Sequence, residues 1–376
     1  MEKTLFEEFE VLEDPRDIRG KKYKLIDILI MTIYGLLYGL KDFTNIADFM
    51  KLKEEYFTKL LGLENGTPSH DCLSDVFAKI DSKKFMEVFI NWTKRIIQNK
   101  TGKVISIDGK AVKSATDKIN GGNTPYIVSA FLGEIGLSIG QVKVDDKTNE
   151  IKAIPKLLDL IDIKGATITI DAIGTQEEIA NKVIEKGGHY ALKVKDNQKE
   201  LKRDIKKYFN KYNNLYGNSE IKYKKTLEKD HGRSEIREYF LSYEVSEIKD
   251  KAKWKTVKAI AYVKVKTMEQ EEVRETEHYY IIDYEIDINR LEYVIRDHWN
   301  IECGLHWKLD VILDEDHSRN RVRNSINNLS IIRKIVFNLA SLDMSFGKVP
   351  LQRKLTRYML DDKNIENLIF KVILAL

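Results

Sequence analysis

Hydrophobic and polar positions alternate in two rhythms along this chain. Through the first hundred residues the apolar positions recur about every 3.6, the period of a helix with one buried face. The pattern runs through 25–40, 43–50, 54–61, 71–80 and 83–98, predicting a run of short helices. In the break ENGTPSHD (64–71), Thr67 and Ser69 flank Pro68 and supply candidate caps for the next helix. Short helices joined by tight turns fit a helix-turn-helix unit and fit a plain bundle equally well. At Val104 the rhythm shortens. VISIDGKAV (104–112), YIVSAFL (126–132) and LSIGQVKV (137–144) read as strands, the last two parted by the turn GEIG. A helix fits 149–162, with Asn149 as its cap and Pro155 in or near its first turns. ATITID (166–171) is the next strand, 176–188 a helix closing on glycines, and HYALKVK (189–195) another strand.

After that strand comes a basic helical stretch, KDNQKELKRDIKKYFNKY, and then a β-rich stretch from Lys222 to Tyr284. Helix resumes at about Asp287 and runs to about Val311, and the chain beyond Asp316 is helical and basic. The expected class is therefore α/β, a mixed sheet with flanking helices. The expected organisation is a helical N-terminal domain (1–100), a candidate for DNA end binding, and an α/β domain from 101–221 and 286–340. A β-rich insertion (222–285) and a helical C-terminal segment (341–376) complete it.

Charge changes the picture locally rather than globally. The formal net charge is only +4 over 376 residues. From Arg319 to Arg357, however, nine Lys and Arg face a single acid, Asp343, and from Tyr190 to Asp230 twelve face six. Clusters of this kind suit phosphate backbones, and solvated surface produces them too. Two cysteines, Cys72 and Cys303, are too few for a disulfide framework or a zinc site, which points to a reducing, cytoplasmic setting. The acidic, mixed N-terminus is no signal peptide. The most apolar stretch, 25–40, carries Asp27 and is too short for a membrane span, so no membrane partner is expected.

The candidate chemistry lies in carboxylates. Asp108 and Asp171 each end a β-branched run, and each could simply be an acid entering a turn. Glu302 lies on the long late helix. At about 100° per residue, Ile288, Leu291, Ile295, Trp299, His306 and Leu309 form one stripe, with Glu302 near its middle and Asp297 opposite. A carboxylate on a buried face needs a cation, either a metal ion or a salt bridge to Arg296 or Lys308.

The order of these acids is that of an RNase H-like fold, with one acid on the first strand, one after the fourth and one on a late helix. The motifs are more specific still. DPRDIRGKKYKL (14–25), GTPSHDCLSDVF (66–77), VISIDGKAVKSA (104–115), the whole of 128–180, YALKVKDNQ (190–198), HGRSEIR (231–237) and RDHWNIECGLHWKLDVILDED (296–316) resemble the DDE transposases of bacterial insertion sequences. They most resemble the group of H-repeat-associated proteins, over roughly residues 14–340. The resemblance implies an RNase H-like catalytic domain, with Asp108, Asp171 and Glu302 as catalytic residues and as ligands of two Mg²⁺ ions that Mn²⁺ can replace. Related transposases surround the glutamate with a tyrosine, an arginine and a lysine. Here Ile295, His298 and Leu309 stand in those places, and Cys303 stands where the closer group has asparagine.

The implied activity is that of a transposase. It would bind terminal inverted repeats, hydrolyse a phosphodiester at the element end and transfer the resulting 3′-OH to target DNA. The alternatives are a transposase-derived DNA-binding protein without catalysis and a plain RNase H-like nuclease acting without strand transfer. A homodimer on double-stranded DNA, nucleoid-associated when bound, follows from the need to cut two ends together. Candidate DNA contacts are Lys110 and Lys113 after the first acid, Lys195, Asn197 and Gln198 after the fifth strand, His231, Arg233 and Arg237 in the β-rich segment, and Arg296, His298 and Trp299 before the glutamate.

Overall fold

The computed structural model describes residues 5–17, 19, 21–97, 101–116, 123–144, 150–212, 215–230, 233–269, 272–318 and 320–369. The N-terminal helices follow the apolar period: α1 (Leu5–Phe9), α2 (Leu25–Leu37), α3 (Phe43–Leu52), α4 (Glu54–Leu61), α5 (His70–Lys79) and α6 (Ser82–Ile96). Side-chain caps fix the starts of α3, α5 and α6. Asp42 accepts from Asn45 N at 2.9 Å, Ser69 from Cys72 N at 3.3 Å, and Asp81 from Lys83 N at 2.8 Å. Thr67 is no cap; its hydroxyl donates to Glu54 at 3.2 Å.

The strands follow the second rhythm: β1 (Val104–Ala111), β2 (Tyr126–Leu132) and β3 (Leu137–Val144), then α7 (Glu150–Leu160), β4 (Thr167–Ile170), α8 (Glu177–Glu185) and β5 (His189–Val194). The Asn149 cap lies outside the described residues. The basic stretch forms α9 (Lys199–Asn210), and the β-rich stretch forms β6 (Lys222–Asp230), β7 (Arg233–Ser242), β8 (Ala259–Glu269) and β9 (Glu272–Ile282). The late helix is shorter than its pattern suggests. It is α10 (Ile288–His298), capped by Asp287 through Asn289 N at 2.8 Å, and wide π-helical turns follow at Ile301–His306 and Lys308–Ile312. Three helices end the described chain: α11 (Ser325–Leu342), α12 (Leu351–Leu360) and α13 (Asp362–Leu368).

The chain divides into two compact units. The first contains residues 1–99, 109–161 and 302–376. Its centre is α11, buried from Ser325 to Ala340 and packed against α2, α5, α6 and β3. A helix buried on nearly every side needs partners all round, and the N-terminal helices α2, α5 and α6 supply several of them. Two of its asparagines are bonded within the unit. Asn338 accepts from Ser138 N at 2.9 Å and donates to Ser138 O at 2.8 Å, while Asn328 donates to Phe77 O at 2.8 Å.

The second unit contains residues 100–108 and 162–301. Its strands run β1-β4-β5-β9-β8-β7-β6, parallel from β1 to β5 and antiparallel from β5 onward. The β-rich segment is therefore no separate layer. β9 pairs with the open edge of β5, Ala191 opposite Ile282, because an unpaired strand edge leaves a row of backbone groups without partners. Leu291, Val294 and Ile295 of α10 pack on one face of this sheet, among Tyr239, Ala261, Val263 and Tyr280. A cross-strand aromatic row, Tyr223–Phe240–Tyr262–Tyr279, adjoins Phe209 of α9. No helix among the described residues is long and apolar enough to cross a membrane.

Candidate active site

In the second unit, β1 and β4 are parallel and in register, with Ser106 opposite Thr169 and Ile107 opposite Ile170. The next residue of each strand is an aspartate, Asp108 on one and Asp171 on the other. With side chains alternating along a strand, Asp108 continues the face of Ser106, and Asp171 follows Thr169 in the same way. Both strands thus read polar–Ile–Asp, a repeat visible in the sequence that would have singled out Ser106 and Thr169. Those two hydroxyls are buried and joined, Thr169 donating to Ser106 at 3.0 Å.

Both aspartates are partly exposed. Burial pushes the Asp171 carboxyl upward, but the Ala172 backbone N–H and the Lys195 and Lys193 ammonium groups outweigh it and hold it below its ordinary value. Lys195 Nζ stands 3.4 Å from Asp171 Oδ1.

The loop after Asp171 is stapled from β5 and the turn beyond it. Thr175 donates to Lys193 O at 2.6 Å, Asn197 to Ala172 O at 2.6 Å and Gln198 to Thr175 O at 2.9 Å. Asn197 and Gln198, expected at DNA, spend their amide N–H groups on this loop.

His298, the last residue of α10, meets the same strands, its Nδ1 lying 3.1 Å from Thr169 Oγ1. Burial lowers the imidazole pKa, with Lys193 and Lys195 adding to the effect, while the charges of Asp108 and Asp171 oppose it. Trp299 is 45% exposed, with Lys193 Nζ 5.8 Å from its ring centre. On β7, Glu235 pairs with Arg237 and, at 2.9 Å, with Arg233. Arg237 is thereby drawn inward, whereas Arg233 stays exposed. Arg296 pairs with Glu228 of β6 at 2.5 Å. His231 lies outside the described residues. Sequence reasoning missed Lys193, although it lies within YALKVKDNQ, and His278, whose strand position carries no motif.

In the first unit, Lys110 is not at the surface. Its side chain is 11% exposed and pairs with Asp310 and, at 2.7 Å, with Glu315. Arg333 and Lys334 complete this buried charge cluster, their positive charges also acting on Glu315. Lys113, by contrast, is 79% exposed, 3.5 Å from Asp316. Gly109 has no room for a side chain, since a Cβ there would run into the Tyr126 ring.

Glu302 departs from the stripe expected of it. It is exposed, whereas Ile301 and Leu305 are buried, as is Asp297, the residue placed opposite. The reason is helical phase. The buried side of this stretch runs through Leu291, Val294, Asp297, Ile301 and Leu305, roughly a quarter turn from the expected stripe, and so leaves Glu302 off to its side. Cys303 beside it is an exposed free thiol.

Partly exposed carboxylates on adjacent strands suit hard divalent cations. Mg²⁺ is commonly held by one or two carboxylates, with waters and phosphate oxygens completing the shell. Among the described residues no group of three or more His, Cys, Asp and Glu side chains is placed to hold a metal ion.

Comparison with known proteins agrees with the motifs. The family described as Transposase DDE domain matches residues 99–339, and the one described as DDE_Tnp_1-associated matches 6–93. Of the curated relatives, "H repeat-associated putative transposase YhhI" of Escherichia coli (strain K12) is 34% identical over 364 residues, 96% of each chain. "Putative transposase YncI" of Escherichia coli O157:H7 is 35% identical over 375 residues, covering 97% of this chain and 94% of its own. A solved piggyBac transposase synaptic complex with hairpin DNA aligns with 96% of this chain and 77% of its own, at 12% identity and a TM-score of 0.42, too loose a likeness to carry an argument. The chain belongs to the DDE transposases, in the group of the H-repeat-associated proteins.

Proposed function

We propose that this chain is the transposase of an insertion sequence, with an RNase H-like catalytic region in which Asp108, Asp171 and Glu302 hold two divalent ions. The observation that carries the reading is the in-register pairing of β1 and β4, whose last pair, Ile107 and Ile170, is followed on each strand by an aspartate. Glu302, exposed on its π-helical turn, is accessible to an ion or to DNA. Bound Mg²⁺, or Mn²⁺ in its place, would lower the pKa of an attacking water and offset charge on the phosphate. The carboxylates orient that water or, in the second reaction, the 3′-OH. Hydrolysis at the element end frees a 3′-OH, and attack of this group on a target phosphodiester joins the element to new DNA. Exposed cations, Lys195 and Arg233 in one unit and Lys113 in the other, would meet phosphates. The protein would act in the cytoplasm, on the nucleoid, as a homodimer that cuts two ends together.

A second reading, a DNA-binding derivative without catalysis, draws on the lack, among the described residues, of three such side chains placed to hold an ion. A supercoiled plasmid carrying the inverted repeats that flank the gene separates the readings. Excision with joining supports the transposase, retention of the repeats without cleavage supports the derivative, and nicking without regard to the repeats defeats both.

A further inference from the structure

Three side chains and one backbone carbonyl form a directed hydrogen-bond relay behind the two aspartates. Its terminus is the carbonyl of Asp297, which can only accept. Ser106 Oγ lies 3.4 Å from that oxygen and donates to it. With its proton so committed, Ser106 accepts from Thr169 Oγ1 at 3.0 Å. Thr169 has then used its own proton, so the contact at 3.1 Å requires His298 Nδ1 to donate. One acceptor-only atom thus orders every proton back to the imidazole. Ser106 is fully buried and Thr169 is 3% exposed, so water does not substitute for a lost partner at low cost.

The place of the relay gives it meaning. Ser106 and Thr169 face each other across β1 and β4, each two residues before an aspartate. His298 and Asp297 close the last turn of α10. The helix end is thereby bonded to both strands at the last cross-strand pair of their shared face before the carboxylates.

The geometry points to His298 as a positioning residue for metal binding: its Nδ1–H, acting through Thr169 and Ser106, fixes the spacing and orientation of Asp108 and Asp171. This rests on the reading of the two aspartates as metal ligands. The role differs from that of a phosphate contact, because the anchored nitrogen faces inward. It matches the general behaviour of groups that hold metal ligands in place, whose loss weakens metal affinity by about 10–100-fold.

The test is Mn²⁺ binding to the full-length protein without DNA, followed by the electron paramagnetic resonance signal of the free ion, with thermal melting run in parallel. In Asn the side-chain amide nitrogen falls near the place of histidine Nδ1, and in Gln near that of Nε2. His298→Asn and Thr169→Ser, which keep the donor and the hydroxyl, should bind Mn²⁺ within about threefold of wild type. His298→Gln and Thr169→Val should bind about tenfold more weakly. Ser106→Ala, one hydroxyl further along, serves if Thr169→Val does not fold. Wild-type affinity in His298→Gln and Thr169→Val, beside an Asp108→Ala variant that has lost Mn²⁺, would overturn the relay while leaving the metal site standing. Wild-type affinity in Asp108→Ala would overturn the metal reading itself, and the relay with it.

Discussion

Asp108 and Asp171 are the first residues beyond the cross-strand pair Ile107–Ile170 of two parallel strands. Parallel pairing brings two carboxylates from distant parts of the sequence to the same end of one sheet. Two like charges on neighbouring strand ends repel, and a divalent cation relieves that repulsion. If they hold the catalytic ions, Asp108→Ala and Asp171→Ala should each lower strand cleavage on the order of 10³-fold, the equivalent of several kcal/mol. Repeat binding in a gel-shift assay should persist, and melting temperatures should stay near wild type because both side chains are partly exposed. Wild-type cleavage by either variant would remove that aspartate from the mechanism.

Two lysines that look alike in sequence should separate in a salt titration. Lys195 is 51% exposed, whereas Lys110 is 11% exposed and ion-paired. Lys195→Gln should weaken DNA binding and reduce the slope of log Kobs against log salt by about 1. Lys110→Gln should leave that slope unchanged and lower the melting temperature instead. The reverse pattern would show the assignment of the two cations to be wrong.

Glu315 is 2% exposed, its carboxyl held well below the usual range by Lys110, Lys334 and Arg333 against the upward push of burial. Removing the acid strands buried positive charge. Glu315→Gln should therefore destabilise the fold by about 3–5 kcal/mol, read by denaturant unfolding. A change below about 1 kcal/mol would mean that the cluster is open to water.

Asn197 and Gln198 carry amides that would suit DNA, yet they bond to the loop after Asp171. Asn197→Ala should cost about 1 kcal/mol of stability and reduce cleavage while repeat affinity stays unchanged. If affinity falls and cleavage of bound DNA does not, the amide is a DNA contact after all.

His278 of β9 titrates against its surroundings. Burial, then Lys193, Lys195 and Arg237, pull its pKa from 6.5 down to about 4, with Glu235 opposing. Between those values the unfolded chain binds a proton that the folded chain refuses, so this contribution to stability is present above about 6.5 and is lost as pH falls toward about 4. In His278→Gln the melting temperature should fall less steeply over that window, measured by scanning calorimetry. Parallel acid limbs in wild type and variant would show that His278 is hydrated.

Local signals along the chain determined a large part of this protein. Helical period and caps such as Ser69 and Asp287 depend on neighbours within a few residues, and alternation marks strands for the same reason. The long motifs carried the family, which the comparisons bear out. Pairing, phase and packing were settled only in three dimensions. That β9 closes the edge of β5 depends on which backbone edge is left open. That Glu302 turns outward depends on which side of the late helical stretch packs, the side of Val294, Asp297 and Ile301. That Lys110 is buried follows from Asp310 and Glu315, 200 and 205 residues away. The two aspartates lay plain in the sequence, each an ordinary acid at a strand end. Their pairing came from the parallel register of β1 and β4, because hydrogen bonding between distant strands, and no property of either strand alone, sets them side by side.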